Sequence, residues 1–114
     1  MILFKLIEYL TEHLDVYVGV EAPEAVSGYV LLDQTGSSNR NHITTATIAV
    51  QSYGASLEEA IRLNERVKAV MLGFVEEDEV SRVKLETDYN FTNTATKQYR
   101  WQAVYEITHY LGGN

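Results

Sequence analysis

The side chains that most often carry enzymatic or metal chemistry are few in this sequence and widely spaced. The three histidines, His13, His42 and His109, fall in three separate segments. A metal site needs several ligands converging on one point. Only Glu12 adjoins a histidine, and neighbouring side chains on a helix diverge. Four consecutive acids, Glu76, Glu77, Asp78 and Glu79, offer hard oxygen ligands for a divalent cation. They lack the ligand spacing and central glycine of an EF-hand, so a solvated turn is the expected role. There is no phosphate-binding glycine loop, G-x-S-x-G elbow or H-E-x-x-H helix. Cysteine is absent, which excludes disulfide scaffolds, zinc fingers, thiol catalysis and iron–sulfur clusters. The sequence therefore predicts no catalytic residue, no metal and no cofactor.

Two features point instead to contact with other macromolecules. Eight tyrosines among 114 residues exceed what one small core needs, and tyrosine is enriched at interfaces because it couples a large apolar ring to a polar handle. Residues 33–42 carry no large apolar side chain and are rich in Gly, Ser and Asn, which favour turns. Such a stretch reads as a long polar loop or a hairpin tip, and its role is either a contact arm that orders against a neighbour or simply a mobile surface loop. Ordering it would cost roughly 1–2 kcal/mol per residue, so it would fold only against a sizeable surface. The candidate contact residues are Asp33, Gln34, Asn39, Arg40, Asn41 and His42 in this stretch, with Tyr17 and Tyr110 outside it. Sixteen acidic against nine basic residues give a net charge of −7, which opposes nucleic-acid affinity.

The elements that must position these residues follow from periodicity. Leu3, Leu6, Ile7, Leu10 and Leu14 form one stripe of a helix. Short strands are expected at 16–20 and 29–32, separated by Pro23, and a longer strand at 43–53 whose buried face is Thr44, Ala46, Ile48, Val50 and Ser52. Ser56 and Glu59 have capping-box spacing at the head of a second helix, with Leu57, Ala60, Ile61, Val67, Val70, Met71 and Phe74 on its apolar stripe. In the next strand Val83, Leu85, Thr87, Tyr89 and Phe91 alternate with polar residues as an inside/outside pattern. In the last, Tyr99, Trp101, Ala103, Tyr105 and Ile107 share a face. The sequence predicts an α+β fold: one mainly antiparallel sheet of about four to five strands, two helices packed on one face, and a long polar loop. It reads as a single domain over residues 1–114 with a frayed tail at 112–114. No segment reaches the ~20 apolar residues of a membrane span, and Met1-Ile2-Leu3-Phe4-Lys5 enters an amphipathic pattern without the features of a signal peptide.

Several segments then look familiar. Val16-Tyr17 followed by Pro23, Tyr29-Val30-Leu31-Leu32 leading into a Gly/Ser/Asn stretch, and Ile48-Ala49-Val50-Gln51-Ser52-Tyr53-Gly54 are three of them. Others are the Glu59-Ala60 helix, Tyr89-Asn90-Phe91, and Tyr99-Arg100-Trp101-Gln102-Ala103-Val104-Tyr105-Glu106-Ile107. Together they resemble the small tail-terminator or tail-completion proteins of long-tailed bacteriophages and prophages. That resemblance implies a structural protein rather than an enzyme, located in the virion tail and assembled in the host cytoplasm. It implies a homo-oligomeric ring, commonly a hexamer, seated on the tail tube protein and facing a head-completion or connector protein. DNA would pass through the lumen without specific binding. Another head–tail connector or tail tube component, and a small dimeric α+β ligand-binding protein or enzyme, remain as alternatives.

Overall fold

The computed structural model describes residues 1–110; the tail expected at 112–114 lies outside the described residues. The chain runs α1 (Ile2–His13), β1 (Tyr17–Gly19), β2 (Tyr29–Arg40), β3 (Ile43–Gly54), α2 (Leu57–Met71), a 3-10 turn (Phe74–Glu76), β4 (Val80–Asn90) and β5 (Tyr99–Tyr110). The strands form one sheet in the order β1-β2-β3-β5-β4. β1 pairs parallel with β2 and every other pair is antiparallel. This is the expected α+β architecture with five strands.

One face of the sheet is the core. Val18, Val30, Leu32, Ala46, Ile48, Val50, Ala103, Tyr105 and Ile107 meet Leu6 and Leu10 of α1 and Leu63, Val67 and Met71 of α2. The helices are tied to each other where α2 ends. The Tyr9 hydroxyl donates to the Val70 carbonyl at 2.7 Å, and its ring lies 5.0 Å from that of Phe74, which is fully buried. α2 starts as its spacing predicts, the Ser56 hydroxyl accepting from the Glu59 amide at 3.2 Å. Its buried side differs from the expected stripe, because Leu63 and Asn64 face inward while Ile61 is exposed.

Two expectations fail, each for its own reason. The long polar loop is not a loop: β2 continues through it to Arg40, pairing residue by residue with β3 down to Arg40 opposite Ile43. Asn41 and His42, both at positive φ, make a two-residue turn, the arrangement that matches the twist of hairpin strands. The hairpin-tip alternative is therefore what forms, an arm that stretches the molecule to 44 × 24 × 23 Å. The clean alternation of β4 fails as well. Val83 and Leu85 lie opposite Ile107 and Tyr105, on the core face, but an irregularity between Leu85 and Thr87 inserts Glu86 as an extra residue. Beyond that bulge the faces exchange: Asp88 and Asn90 turn inward opposite Ala103 and Trp101, and Tyr89 turns outward opposite Gln102. A similar irregularity in β2 falls between Gln34 and Gly36.

Turned inward, the Asp88 carboxylate becomes a junction between sheet and helix. It accepts from Asn64 Nδ2 at 2.9 Å, from Lys68 Nζ at 2.7 Å and from the Trp101 indole N–H. Burial pushes the carboxyl's pKa up, but the bonds from Lys68, Trp101 and Asn64 outweigh it and hold the group below its usual range. A carboxylate with a depressed folded-state pKa stabilises the fold above its unfolded value and loses that contribution as pH falls through the folded one. Asp88→Asn is thus expected to lower the urea midpoint at pH 7 by an amount worth about 1–3 kcal/mol. The gap between variant and wild type should begin to shrink as pH falls below about 4, where the unfolded chain takes up the proton, and close only below the depressed folded-state pKa, where the native side chain is neutral too; a gap that stays constant from pH 7 to pH 3 would contradict this role.

Backbone proximity makes a second demand where β3 turns into α2. A Cβ at Gly54 would lie 2.6 Å from the Ala60 amide nitrogen and 2.8 Å from the Glu59 Cβ, whereas one at Gly36 would meet nothing within 4 Å. Gly54→Ala should cost more than about 1 kcal/mol in chemical denaturation, and Gly36→Ala less than about 0.5 kcal/mol.

Candidate functional site

Both helices lie on the core face, so the other face of the sheet has no helix over it. Cross-strand register brings its residues into transverse lines. Tyr17, Tyr29, Tyr53 and Arg100 occupy one line across β1, β2, β3 and β5. Phe91 completes it, its amide donating to the Arg100 carbonyl at 3.0 Å. The Tyr29 and Tyr53 rings stack with centroids 4.5 Å apart, and the Arg100 guanidinium lies 4.4 Å from the Phe91 centroid. Tyr29 and Tyr53 are buried at the centre of the line, while Tyr17 and Phe91 are exposed at its two ends. Burial first, and the adjacent Tyr53 second, push the Tyr29 hydroxyl's pKa up.

The next line holds Leu31, Gln51, Gln102 and Tyr89. It is bound to the first by a directional chain of hydrogen bonds. Arg100 Nη1 donates to the Tyr53 hydroxyl oxygen at 3.1 Å, and that hydroxyl donates to Gln51 Oε1 at 3.0 Å. Gln51 Nε2 donates to Gln102 Oε1 at 2.7 Å, and Gln102 Nε2 donates to the Tyr89 hydroxyl oxygen. Each group donates in the same sense, so each bond polarises the next. The chain ends at Tyr89, which is exposed on the edge strand and retains its own O–H to donate.

The predicted contact residues do not form one cluster. Arg40, Asn41 and His42 make the exposed hairpin tip, and Tyr110 joins them because it lies opposite Ile43. Asn39 is held at the base of the turn, its Oδ1 accepting from the Thr44 hydroxyl. Asp33 and Gln34 lie further back, one on each face of β2. Tyr17 is level with Tyr29, eleven residues and roughly 35 Å along the sheet from Arg40. The tip thus gathers four of the eight, and Tyr17 belongs to the aromatic line instead. The residues that sequence reasoning missed are Gln51, Tyr53, Tyr89, Arg100 and Gln102. Their one sequence signal is a glutamine in each of two strand segments, Gln51 in β3 and Gln102 in β5.

Two grooves open on the helix side. One of about 630 Å³ lies between the start of α1 and the inner side of the arm, lined by Phe4, Asn39 and His109 among others. The other, of about 640 Å³, lies between α2 and β4, with Leu72, Val75 and Leu85 at its rim and Tyr105 among its lining residues. Burial raises the Tyr105 hydroxyl's pKa, and that hydroxyl has no hydrogen-bond partner among the described residues. The three histidines stay apart: His13 Nδ1 lies 2.7 Å from the Tyr9 carbonyl, His42 is at the tip, and His109 is half-buried on the core face. Among the described residues no three histidine, aspartate or glutamate side chains gather closely enough to hold a metal ion, and no helix is long and apolar enough to cross a membrane. What the open face and the tip offer is recognition by area, donors and stacking.

No protein-family model matches the chain, and no curated protein sequence matches it.

The amide chain gives the open face a testable signature. Gln102 is buried, so Gln102→Leu removes a partner from Gln51 and from Tyr89 together and leaves an amide unsatisfied. The variant is expected to lower stability by about 1–3 kcal/mol in spite of its added apolar surface. Thermal melts read the outcome, and an unchanged or raised midpoint would contradict it.

Proposed function

We propose that this chain is a structural subunit of the tail of a long-tailed bacteriophage or prophage. In this reading it caps the tail tube, ends polymerisation and joins tail to head as part of a homo-oligomeric ring, a hexamer in the commonest form of the proteins it resembles. The observation that carries the reading is the division of the sheet. One face is packed by both helices, and the other is uncovered by helix and bordered by exposed aromatics at both edges, Tyr17 on one side and Tyr89 and Phe91 on the other. Exposed aromatic area at two separate edges is what a subunit with two neighbours needs.

The arm supplies the contact with the tail tube protein or the head-completion protein. Its strands are already paired, so it docks as a formed projection, and its tip side chains, Arg40, Asn41, His42 and Tyr110, make the contact. A net charge of −7 supports a lumen along which DNA slides without adhering. Assembly takes place in the host cytoplasm and the finished location is the virion tail.

Electron microscopy of purified protein separates this reading from its nearest relatives: a terminator gives closed rings, a tube component gives tubes, and a small dimeric enzyme or ligand-binding protein gives neither. The tip is tested by replacing Arg40 with Ala and both Asn41 and His42 with Gly, since glycine keeps the positive-φ turn while deleting its side chains. The expected result is an unchanged fold by circular dichroism and tails that fail to join heads. Normal joining by this variant would remove the tip from the proposal.

A further inference from the structure

The two edges of the sheet are protected unequally. At β4 two irregularities and the side chains of Arg82, Lys84 and Glu86 oppose the addition of another strand. At the other edge β1 covers only Tyr29–Leu31 of β2. From Leu32 to Arg40 the outer side of β2 faces no strand, and among the described residues its backbone bonds to no backbone group outside the ladder with β3. Thr35 to Arg40 are all exposed, and the stretch from Leu32 holds neither lysine nor proline. An unpaired row of N–H and C=O groups of this length is a template for one more strand.

The order of its residues says which strand it takes. The irregularity between Gln34 and Gly36 makes Thr35 an extra residue. Ahead of it Asp33 lies opposite Ala49, and beyond it Arg40 lies opposite Ile43 on the same face of β3. Asp33 and Arg40 therefore share the open face, whereas unbroken alternation would set them on opposite faces. Gln34 and Asn39, opposite Ile48 and Thr44, share the core face. Turned end for end about Ser37, the segment matches itself. Asp33 falls opposite Arg40, Gln34 opposite Asn39 and Ser37 opposite its own counterpart, both members of each pair on one face. Asp33 and Arg40 are the only charged residues of the segment, and neither makes an ion pair among the described residues. Gln34 Oε1 is buried without a hydrogen-bond partner, while Asn39, whose Oδ1 accepts from Thr44, keeps its amide N–H groups to donate. The other ionic groups beside this edge, Lys5, Glu8 and Glu79, line the groove on the core side, across the sheet from Asp33 and Arg40.

We propose that residues 33–40 of two copies pair antiparallel about a two-fold axis at Ser37, joining two sheets into one. Directly opposed side chains on one face have Cβ atoms about 4.5–5.5 Å apart, within reach of an ion pair. Each dimer then holds Asp33 against Arg40 twice, and twice an Asn39 amide donating to Gln34 Oε1. The turn of each copy falls beside Leu32 of the other, where the cover of β1 gives out, so the paired length is the length left open. Ser37 lines the core-side groove with Met1 and Phe4, which are 76% and 60% exposed, and the axis brings these apolar side chains of the two copies together. A two-fold joint closes on itself, so it goes beyond the ring reading and stands without it. Arg40 belongs to the tip as well, and pairing therefore competes with docking of the arm.

The test uses two variants at exposed positions, Asp33→Arg and Arg40→Asp, each checked for an unchanged fold by circular dichroism. Sedimentation velocity over a concentration series should show the wild-type chain dimerising. Either substitution alone sets like charges opposite one another at both ends of the joint and should weaken the dimer at least tenfold. The decisive sample is the equimolar mixture. One chain then carries two bases and the other two acids, so both ion pairs return and a one-to-one heterodimer should form. A second arm needs no charge. The chain has no cysteine, so Ser37→Cys sets a single thiol opposite its counterpart, at a Cα separation that a disulfide accepts. Mild oxidation should link this variant into a dimer faster than it links Glu12→Cys, an exposed position on α1. Wild-type protein that stays monomeric to millimolar concentration overturns the joint. So does association that neither charge substitution weakens, a mixture that does not associate, or Ser37→Cys linking no faster than Glu12→Cys. The ring reading is judged separately by microscopy and falls only if rings are absent.

Discussion

One additional residue in β4 governs which way half of that strand faces. Glu86 interrupts the pairing with β5, and beyond it the even-numbered side chains take the helix side of the sheet. Without that exchange Asp88 would face solvent, and Asn64, Lys68 and the Trp101 indole would lose their common acceptor beneath α2. Tyr89 would point inward, and the chain of donors running from Arg100 through Tyr53, Gln51 and Gln102 would lack its last member. A single backbone irregularity thus serves two opposed surfaces at once, fastening the helix to one and completing the polar row on the other.

Most of the architecture was legible in the sequence, because burial writes itself as periodicity. The stripe of α1, the Ser56 cap, the inward set of β3 and the Ala103/Tyr105/Ile107 face of β5 are all where spacing places them. The failures have separate causes. In β4 apolar residues go on alternating straight through the bulge, so Tyr89 and Phe91 continue a pattern whose meaning has already inverted. In β2 the core-facing positions beyond Leu32 are Gln34, Ser37 and Asn39, which lie under a groove instead of a helix, and hence show no apolar periodicity to read. Strand pairing there comes from β3, a partner that local composition does not reveal. The candidate site was less legible still. Four of the predicted contact residues meet at the tip, but the aromatic line is assembled by register across four strands, with Phe91 just beyond β4, and no single segment contains it.

The proposal and the fold meet in the asymmetry of the sheet. Four tyrosines, Tyr9, Tyr29, Tyr53 and Tyr105, are consumed by packing, while Tyr17, Tyr89 and Tyr110 stay exposed at places far from one another. Exposure distributed in this way is what the proposed subunit, with more than one neighbour, would require. The acidic excess is uneven too, concentrated in the first third of the chain and balanced along β4, and in the proposed assembly that asymmetry would bias the orientation of approach.

The hairpin between β2 and β3 changes how docking at its tip would proceed in time. A floppy segment finds its partner through many weak trial contacts and settles slowly into a bound shape, whereas a pre-paired finger arrives already in its final shape. Collision geometry, more than search among conformers, would then set the association rate. Under the proposed docking, rigidity would also transmit: the two hydrogen-bonded strands connect Arg40 and His42 with the stacked tyrosines at their other end, so a push at the tip would be felt there.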